Sequence, residues 1–412
     1  MGKISLSVLL LMTLGLSSCL KDQVSERYSF FRPVYQTRAE VKASIRNDVP
    51  EQVQVPGKIV LYKSWLFVLD VDKGIHLIDI SNPAQPVNKY FIKVPGCTDI
   101  AIKNDYLYAD CYTDLITMDI SNPAAVQVKQ YLNGVFPYRA YAGFQSDTTL
   151  VIREWVRVDT VIRRKSTETF QPRSGIPVSL LAGSFSSFSG TSSVGITGST
   201  ARFGILNTRM YTVSYDALKV FNITQLDAPK LVREQRMLQG DIETIFPYKD
   251  KLFIGAQSGM HIFDVANPDQ PVKLSQFTHA RACDPVVADD KYAYVTLRSA
   301  GFCRGIANQL DVVNIQNITS PTLVKSYQLK APQGLSIDGQ LLFICDGTDG
   351  LKVFNAGNPN AVTQIRVLDG FEPHDVIAYQ GYAIAVAKEG IYIVDYRNTA
   401  DIKIISSIAL KK

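Results

Sequence analysis

Four histidines, two tryptophans and six cysteines are all that 412 residues offer of the side chains that most often carry metal, cofactor or nucleophile chemistry. No Gly-x-Ser-x-Gly elbow occurs. The Gly/Ser-rich stretch Leu181–Thr200 holds no Gly-x-Gly fingerprint, and no Gly-Lys-Ser/Thr follows it. The sialidase box Ser-x-Asp-x-Gly-x-Thr-Trp is missing. With only Trp65 and Trp155, the repeated Trp of quinoprotein propellers is missing too. No segment is apolar for long enough to cross a bilayer comfortably; the longest, Ile4–Leu14, is too short. These absences leave no cofactor and no metal set legible.

What is present is a repeated peptide. Its best copies are Gly74–Pro83 (GIHLIDISNP) and Gly259–Pro268 (GMHIFDVANP). Weaker copies centre on other Asp or Asn residues, giving the series Asp79, Asp119, Asn222, Asp264, Asn314, Asn355, Asp395. The spacings are 40, 103, 42, 50, 41 and 40 residues. A period near 40 with strand-like content predicts an all-β propeller whose period is one four-stranded blade. Within one period, Thr98–Lys103 and Tyr106–Asp110 flank an Asn-Asp turn, and Leu115–Ile120 and Val126–Leu132 follow. The third strand is apolar on both faces, as a blade sandwiched between blades requires.

The repeated acid invites a catalytic reading. Asn replaces it in three copies, and Asn cannot act as a base. Both can accept N–H bonds from the Ser-Asn-Pro turn, so a structural role is predicted.

The 103-residue gap decides the blade count. Arg202–Val213 aligns with Asp99–Asp110, and Pro137–Ile152 resembles Pro373–Val386. Two first hairpins in the gap favour eight blades. Against this, Thr149–Arg164 is an unbroken β-like run, and the alternative is a long hairpin projecting from a seven-bladed ring. Leu181–Thr200 reads as a flexible loop.

Residues 1–18 read as a signal peptide. Leu16-Ser17-Ser18-Cys19 resembles the lipobox of bacterial lipoproteins, which implies lipidation at Cys19 and attachment to a membrane through that lipid, each buried methylene adding about 0.8 kcal/mol. Leu20 stands where some bacteria place an inner-membrane retention Asp, so an outer-membrane or surface location in the envelope is expected. Residues 19–52 read as a tether with one short helix after the capping box Thr37–Glu40. Residues 53–412 are the propeller, with an insertion at about 149–200.

Net charge is +5 and dispersed. The densest basic stretch is Arg153, Arg157, Arg163 and Arg164. It reads as a solvated face rather than a nucleic-acid patch, since envelope proteins seldom meet nucleic acid. The compartment permits disulfides. Cys97 and Cys111 flank one hairpin, Cys283 and Cys303 the equivalent one, and two bridges are predicted.

The Leu-x-Val/Ile-Ile/Phe-Asp-Ile/Val-Ser-Asn-Pro pattern resembles the LVIVD-repeat family of bacterial envelope propellers. Arg32-Pro33-Val34-Tyr35 resembles the lead-in of lipoproteins in that family. The resemblance covers about residues 53–412 and implies the fold; it brings no catalytic residues to transfer. Propeller sites sit where first strands begin and second strands end. By alignment that rim holds Lys58, Asp99, Arg139, Glu243, Asp284, Gln333, His374 and Asp375. The set is polar and of mixed sign, suited to a protein or glycan partner. The expected function is a non-catalytic binding lipoprotein. The alternative is a polysaccharide or lactone hydrolase or lyase at the channel mouth, which would need several of these carboxylates to converge.

Overall fold

The computed structural model describes residues 23–138, 149–165, 196–197, 199–237, 241–279, 285–299 and 307–411. It divides into two compact units, residues 1–37 with 140–182, and residues 38–139 with 183–412.

Within the smaller unit, strands Gln23–Thr37 and Leu150–Lys165 pair antiparallel in a two-stranded ribbon. The register runs from Gln23 opposite Lys165 to Thr37 opposite Leu150, with a bulge between Val34 and Tyr35. Ser29 donates to Asp159 at 2.5 Å, and Arg157 donates to Asp159 at 2.9 Å. The rings of Tyr28 and Phe30 stack at 6.0 Å.

The larger unit is a propeller of seven four-stranded blades. The blades are residues 56–93, 100–132, 203–236, 242–278, 286–328, 335–368 and 373–409; in each, strands A to D follow chain order and A is innermost. The eight-blade reading is corrected. Strand Leu150–Lys165, which would have supplied an eighth blade, pairs instead with residues 23–37.

The repeated motif forms strand C and the turn after it. Strand C is buried on both faces; in Gly74–Asp79 only Asp79 is not buried. In all seven blades the motif oxygen accepts the N–H two residues on. The donors are Ser81, Ser121, Thr224, Ala266, Gln316, Gly357 and Arg397, at 2.9–3.1 Å. Asp and Asn do this equally, which is why they interchange. A bulge in the C–D pairing recurs at the same place in every blade. The ring closes by apolar packing of Ile59, Leu66 and Val68 of blade 1 with Ile377, Ile384 and Ile393 of blade 7.

A second recurring carboxylate ends strand B in three blades. Asp70 accepts the N–H groups of Gln54 and Val55, Asp110 those of Thr98 and Asp99, and Asp346 those of Lys330 and Ala331. Asp346 begins the Asp-Gly-Thr-Asp-Gly stretch, which is a tight turn containing one 3-10 turn, Gly347–Asp349.

Helix Arg38–Ser44 buries Val41 and directs Arg38 and Lys42 to Asp114 of blade 2, at 3.5 and 3.6 Å. Residues 46–48 then add a strand to the outer edge of blade 1, covering its unpaired backbone groups. Asn47 clips this strand to blade 2, donating to the Pro123 carbonyl and accepting from the Val126 N–H.

The central channel is crossed by chain. Ile196–Thr197 pairs with Val60 and Leu61 on the inner edge of blade 1. Ser199 Oγ accepts the Leu335 N–H of blade 6 at 2.6 Å. The Ala201 carbonyl accepts the Ile245 N–H of blade 4 at 2.6 Å. The Arg202 N–H donates to Asp99 of blade 2 at 2.7 Å. Ser199, Thr200 and Ala201 are buried. Small, buried residues bonded to different blades are packed rather than free. The end of the stretch read as a flexible loop is therefore a structural plug.

A candidate binding site at the channel mouth

Strands A begin and strands B end at one mouth of the channel. Three strands A carry a bulge there, between Pro56 and Ile59, at Glu243, and at His374. A bulge adds a residue and re-aims its side chain. Lys58, Glu243 and His374 all occupy these positions, so alternation along a strand does not set their direction.

Lys58 and Asp99 form an ion pair of 2.8 Å, with side chains 1% and 4% exposed. Burial lowers the Lys58 pKa, and the carboxylates of Asp99 and Asp375 oppose that fall. Asp99 also accepts its neighbour Ile100 N–H and the Arg202 N–H, both at 2.7 Å. Asp375 is buried beside Gly334, where a Cβ would come within 2.6 Å of its Oδ1. Lys58, Asp99 and Asp375 are thus interior residues below the mouth, not parts of an open rim.

Glu243, Gln333 and His374 are half-buried at the mouth itself. Burial raises the Glu243 pKa, while the Gln257 amide, which donates to it at 3.0 Å, and the charges of Arg202 and Arg298 pull it down. Burial drives the His374 pKa to about 4; its ring donates to the Pro56 carbonyl, which opposes the shift, and Arg298 nearby reinforces it. His374 is therefore neutral at pH 7. Arg139 and Asp284 lie outside the described residues, as do Cys19, Cys283 and Cys303. Among the described residues no cluster of His, Cys, Asp or Glu is arranged to hold a metal.

Arg202, Arg298 and Gln257 were missed. Arg202 aligns with Asp99, so its rim position was legible although its sign was reversed. Arg298 follows strand B of blade 5 and carries no motif.

The bridge between Cys97 and Cys111 is corrected: both thiols are free and buried. Cys97 Sγ faces the Asp99 carbonyl at 3.6 Å, and Cys111 Sγ the Pro95 carbonyl at 3.1 Å. Backbone bonds from Asp110 to Asp99 and from Tyr112 to Gly96 already close this corner. Burial, reinforced by the Asp110 charge, pushes the Cys97 thiol pKa well up, which suppresses thiolate chemistry.

Residues 57–91, 97–133 and 280–328 match the LVIVD repeat. The chain thus carries LVIVD repeats in three segments. Those segments are blades 1, 2 and 5 of the ring. No curated protein matches the chain. Among solved structures, the periplasmic gluconolactonase PpgL of Pseudomonas aeruginosa is 11% identical, with a TM-score of 0.54, covering 86% of this chain and 96% of that one. BamB from Moraxella catarrhalis is 10% identical, with a TM-score of 0.45, covering 92% of each chain. The first shares the fold of this LVIVD-repeat propeller; the second is too remote to add to it.

Proposed function

We propose that this propeller is a non-catalytic binding module of the cell envelope, anchored by lipid at Cys19, most simply in the outer membrane, and that it grips a protein or glycan partner at the channel mouth. The observation that carries this reading is the fate of Asp99. A hydrolase would need that carboxylate open to substrate; here it is buried, pairs with Lys58 and accepts the N–H groups of Ile100 and Arg202. What faces the mouth is a half-buried set of donors and acceptors, Arg202, Glu243, Gln333 and His374, suited to hydrogen-bonding a polar ligand. The name of PpgL places a propeller of this fold in the periplasm, which is compatible with an envelope location. Crosslinking on intact membranes followed by capture tests the reading. The wild-type protein should return one defined partner or glycan, and Arg298→Ala with Gln333→Ala should reduce the yield at least about tenfold, since each lost buried contact costs about 1–3 kcal/mol. Undiminished capture would count against the mouth.

One observation favours a second reading, a lactone or polysaccharide hydrolase. Glu243 has a pKa raised by burial, as a general acid requires. Assay of the purified protein on aldonolactones and envelope polysaccharides separates the two. Turnover abolished by Glu243→Gln, with folding intact, would establish the enzyme.

A further inference from the structure

The two-stranded ribbon brings together segments more than a hundred residues apart in sequence. Its first strand starts at Gln23, four residues after Cys19, so at most about 14 Å of extended chain separates the two. The opposite strand ends in Arg163-Arg164-Lys165. The register sets Arg163 opposite Ser25, Arg164 opposite Val24 and Lys165 opposite Gln23. Three consecutive cationic residues thus stand at the end of the ribbon nearest Cys19. The two strands together hold seven Lys or Arg against three Asp or Glu, a net charge of +4, close to the whole chain's +5. Aromatic residues interleave with the cations, including the stacked pair Tyr28 and Phe30.

We propose that this end of the ribbon binds the anionic phospholipid headgroups of the membrane that holds the protein. The inference rests on the lipid-anchor reading of Cys19, which sets the ribbon end at a bilayer surface. Charge complementarity and the short reach from Cys19 select the occupant. A single acyl signal gives weak, reversible binding, and a basic patch is the usual second signal. Cations at a bilayer surface attract acidic lipids, falling off within a Debye length. A two-stranded ribbon is also marginal in isolation, and a surface beneath it would add contacts.

The test uses the chain from Leu20 to Lys412, which holds every described residue and lacks any acyl group. It is floated with vesicles of phosphatidylcholine alone or with 25% phosphatidylglycerol, at low salt and at about 0.5 M NaCl. Binding should require phosphatidylglycerol and disappear at high salt. Arg163→Gln, Arg164→Gln and Lys165→Gln together should lower partitioning on the order of a hundredfold, at about fivefold per cation. Arg163→Lys with Arg164→Lys should restore it, showing that charge rather than ribbon structure is read. Three results would each overturn the proposal: no phosphatidylglycerol dependence, binding unchanged in the glutamine triple variant, or retention by a DNA duplex with no vesicle binding. Mass analysis of the protein purified from membranes reports acylation of Cys19 separately. A non-acylated chain that still floats would remove the anchor reading alone, and an acylated protein whose Leu20–Lys412 chain does not float would remove the ribbon proposal alone.

Discussion

Lys58 of blade 1 and Asp99 of blade 2 meet at 2.8 Å in a place where neither side chain sees solvent. Asp99 then holds the N–H of Arg202, so one carboxylate joins two neighbouring blades to the segment that crosses the channel. Removing one member of a buried pair strands the other charge. Lys58→Met should therefore lower unfolding free energy by about 3–5 kcal/mol in urea titration. Adding Asp99→Asn should recover part of that loss, since the amide oxygen can still accept the Arg202 N–H. A double variant no more stable than the single one would show that the pair is not coupled.

Ser199 and Ala201 predict the cost of disturbing the plug. Ser199→Leu puts a large side chain at a buried position and should destabilise by about 1–3 kcal/mol. Ser199→Ala removes the acceptor of the Leu335 N–H and should cost about 1–3 kcal/mol. Thermal unfolding checks both. A melting temperature unchanged in both variants would mean that the segment does not fill the channel.

Asp264 tests the reading of the repeated acid. Asp264→Asn keeps the acceptor for the Ala266 N–H, as Asn222, Asn314 and Asn355 do in their own blades. It loses only a part-exposed pair with Lys251 at 3.4 Å. Stability should change by less than about 1 kcal/mol. Asp264→Ala, which removes the acceptor, should cost more, about 1 kcal/mol. Equal losses for the two substitutions would contradict a turn-building role.

The success and failure of the sequence reading have one physical cause. A turn-building Asp or Asn at position 79, 119 or 222 interacts with its own neighbours two residues away, so its period showed the blade fold directly. The count of seven depends on Leu150–Lys165 pairing with Gln23–Thr37, a partner that no local pattern reveals. Rim positions followed from alignment, which located Lys58, Asp99, Glu243 and His374 on inner strands. Alignment could not show that Asp99 is consumed by Lys58 and Arg202, because those contacts cross between blades. Composition misled at Ser199–Ala201, where small residues signal close packing as readily as flexibility. Cys97 and Cys111 were placed correctly in sequence, but their thiols face different carbonyls.

His261 predicts an acid-labile step. It is buried in strand C of blade 4, and neither ring nitrogen has a partner among the described residues. Burial lowers its pKa from 6.5 to about 4; Lys273 and His279 reinforce the shift and Asp241 opposes it. The folded pKa lies below the unfolded one, so the unfolded chain binds the extra proton between them. The contribution is fully present above pH 6.5 and is lost as pH falls toward 4, by up to about 3 kcal/mol. His261→Ile, matching Ile116 in blade 2, should flatten the stability profile between pH 4 and 6.5 by about one proton. A profile as steep as wild type would assign the acid sensitivity to other groups.

The central claim, that the mouth where strands A begin is the binding surface, is tested most directly by site-specific photocrosslinking in living cells. Benzoylphenylalanine replaces Lys388, in the exposed B–C turn of blade 7 on the mouth side, or Gln85, in the exposed C–D turn of blade 1 on the opposite side. The account predicts a discrete adduct from position 388 that weakens with Arg298→Ala, and none from position 85. Adducts from position 85 alone, or an adduct at 388 indifferent to Arg298→Ala, would contradict it.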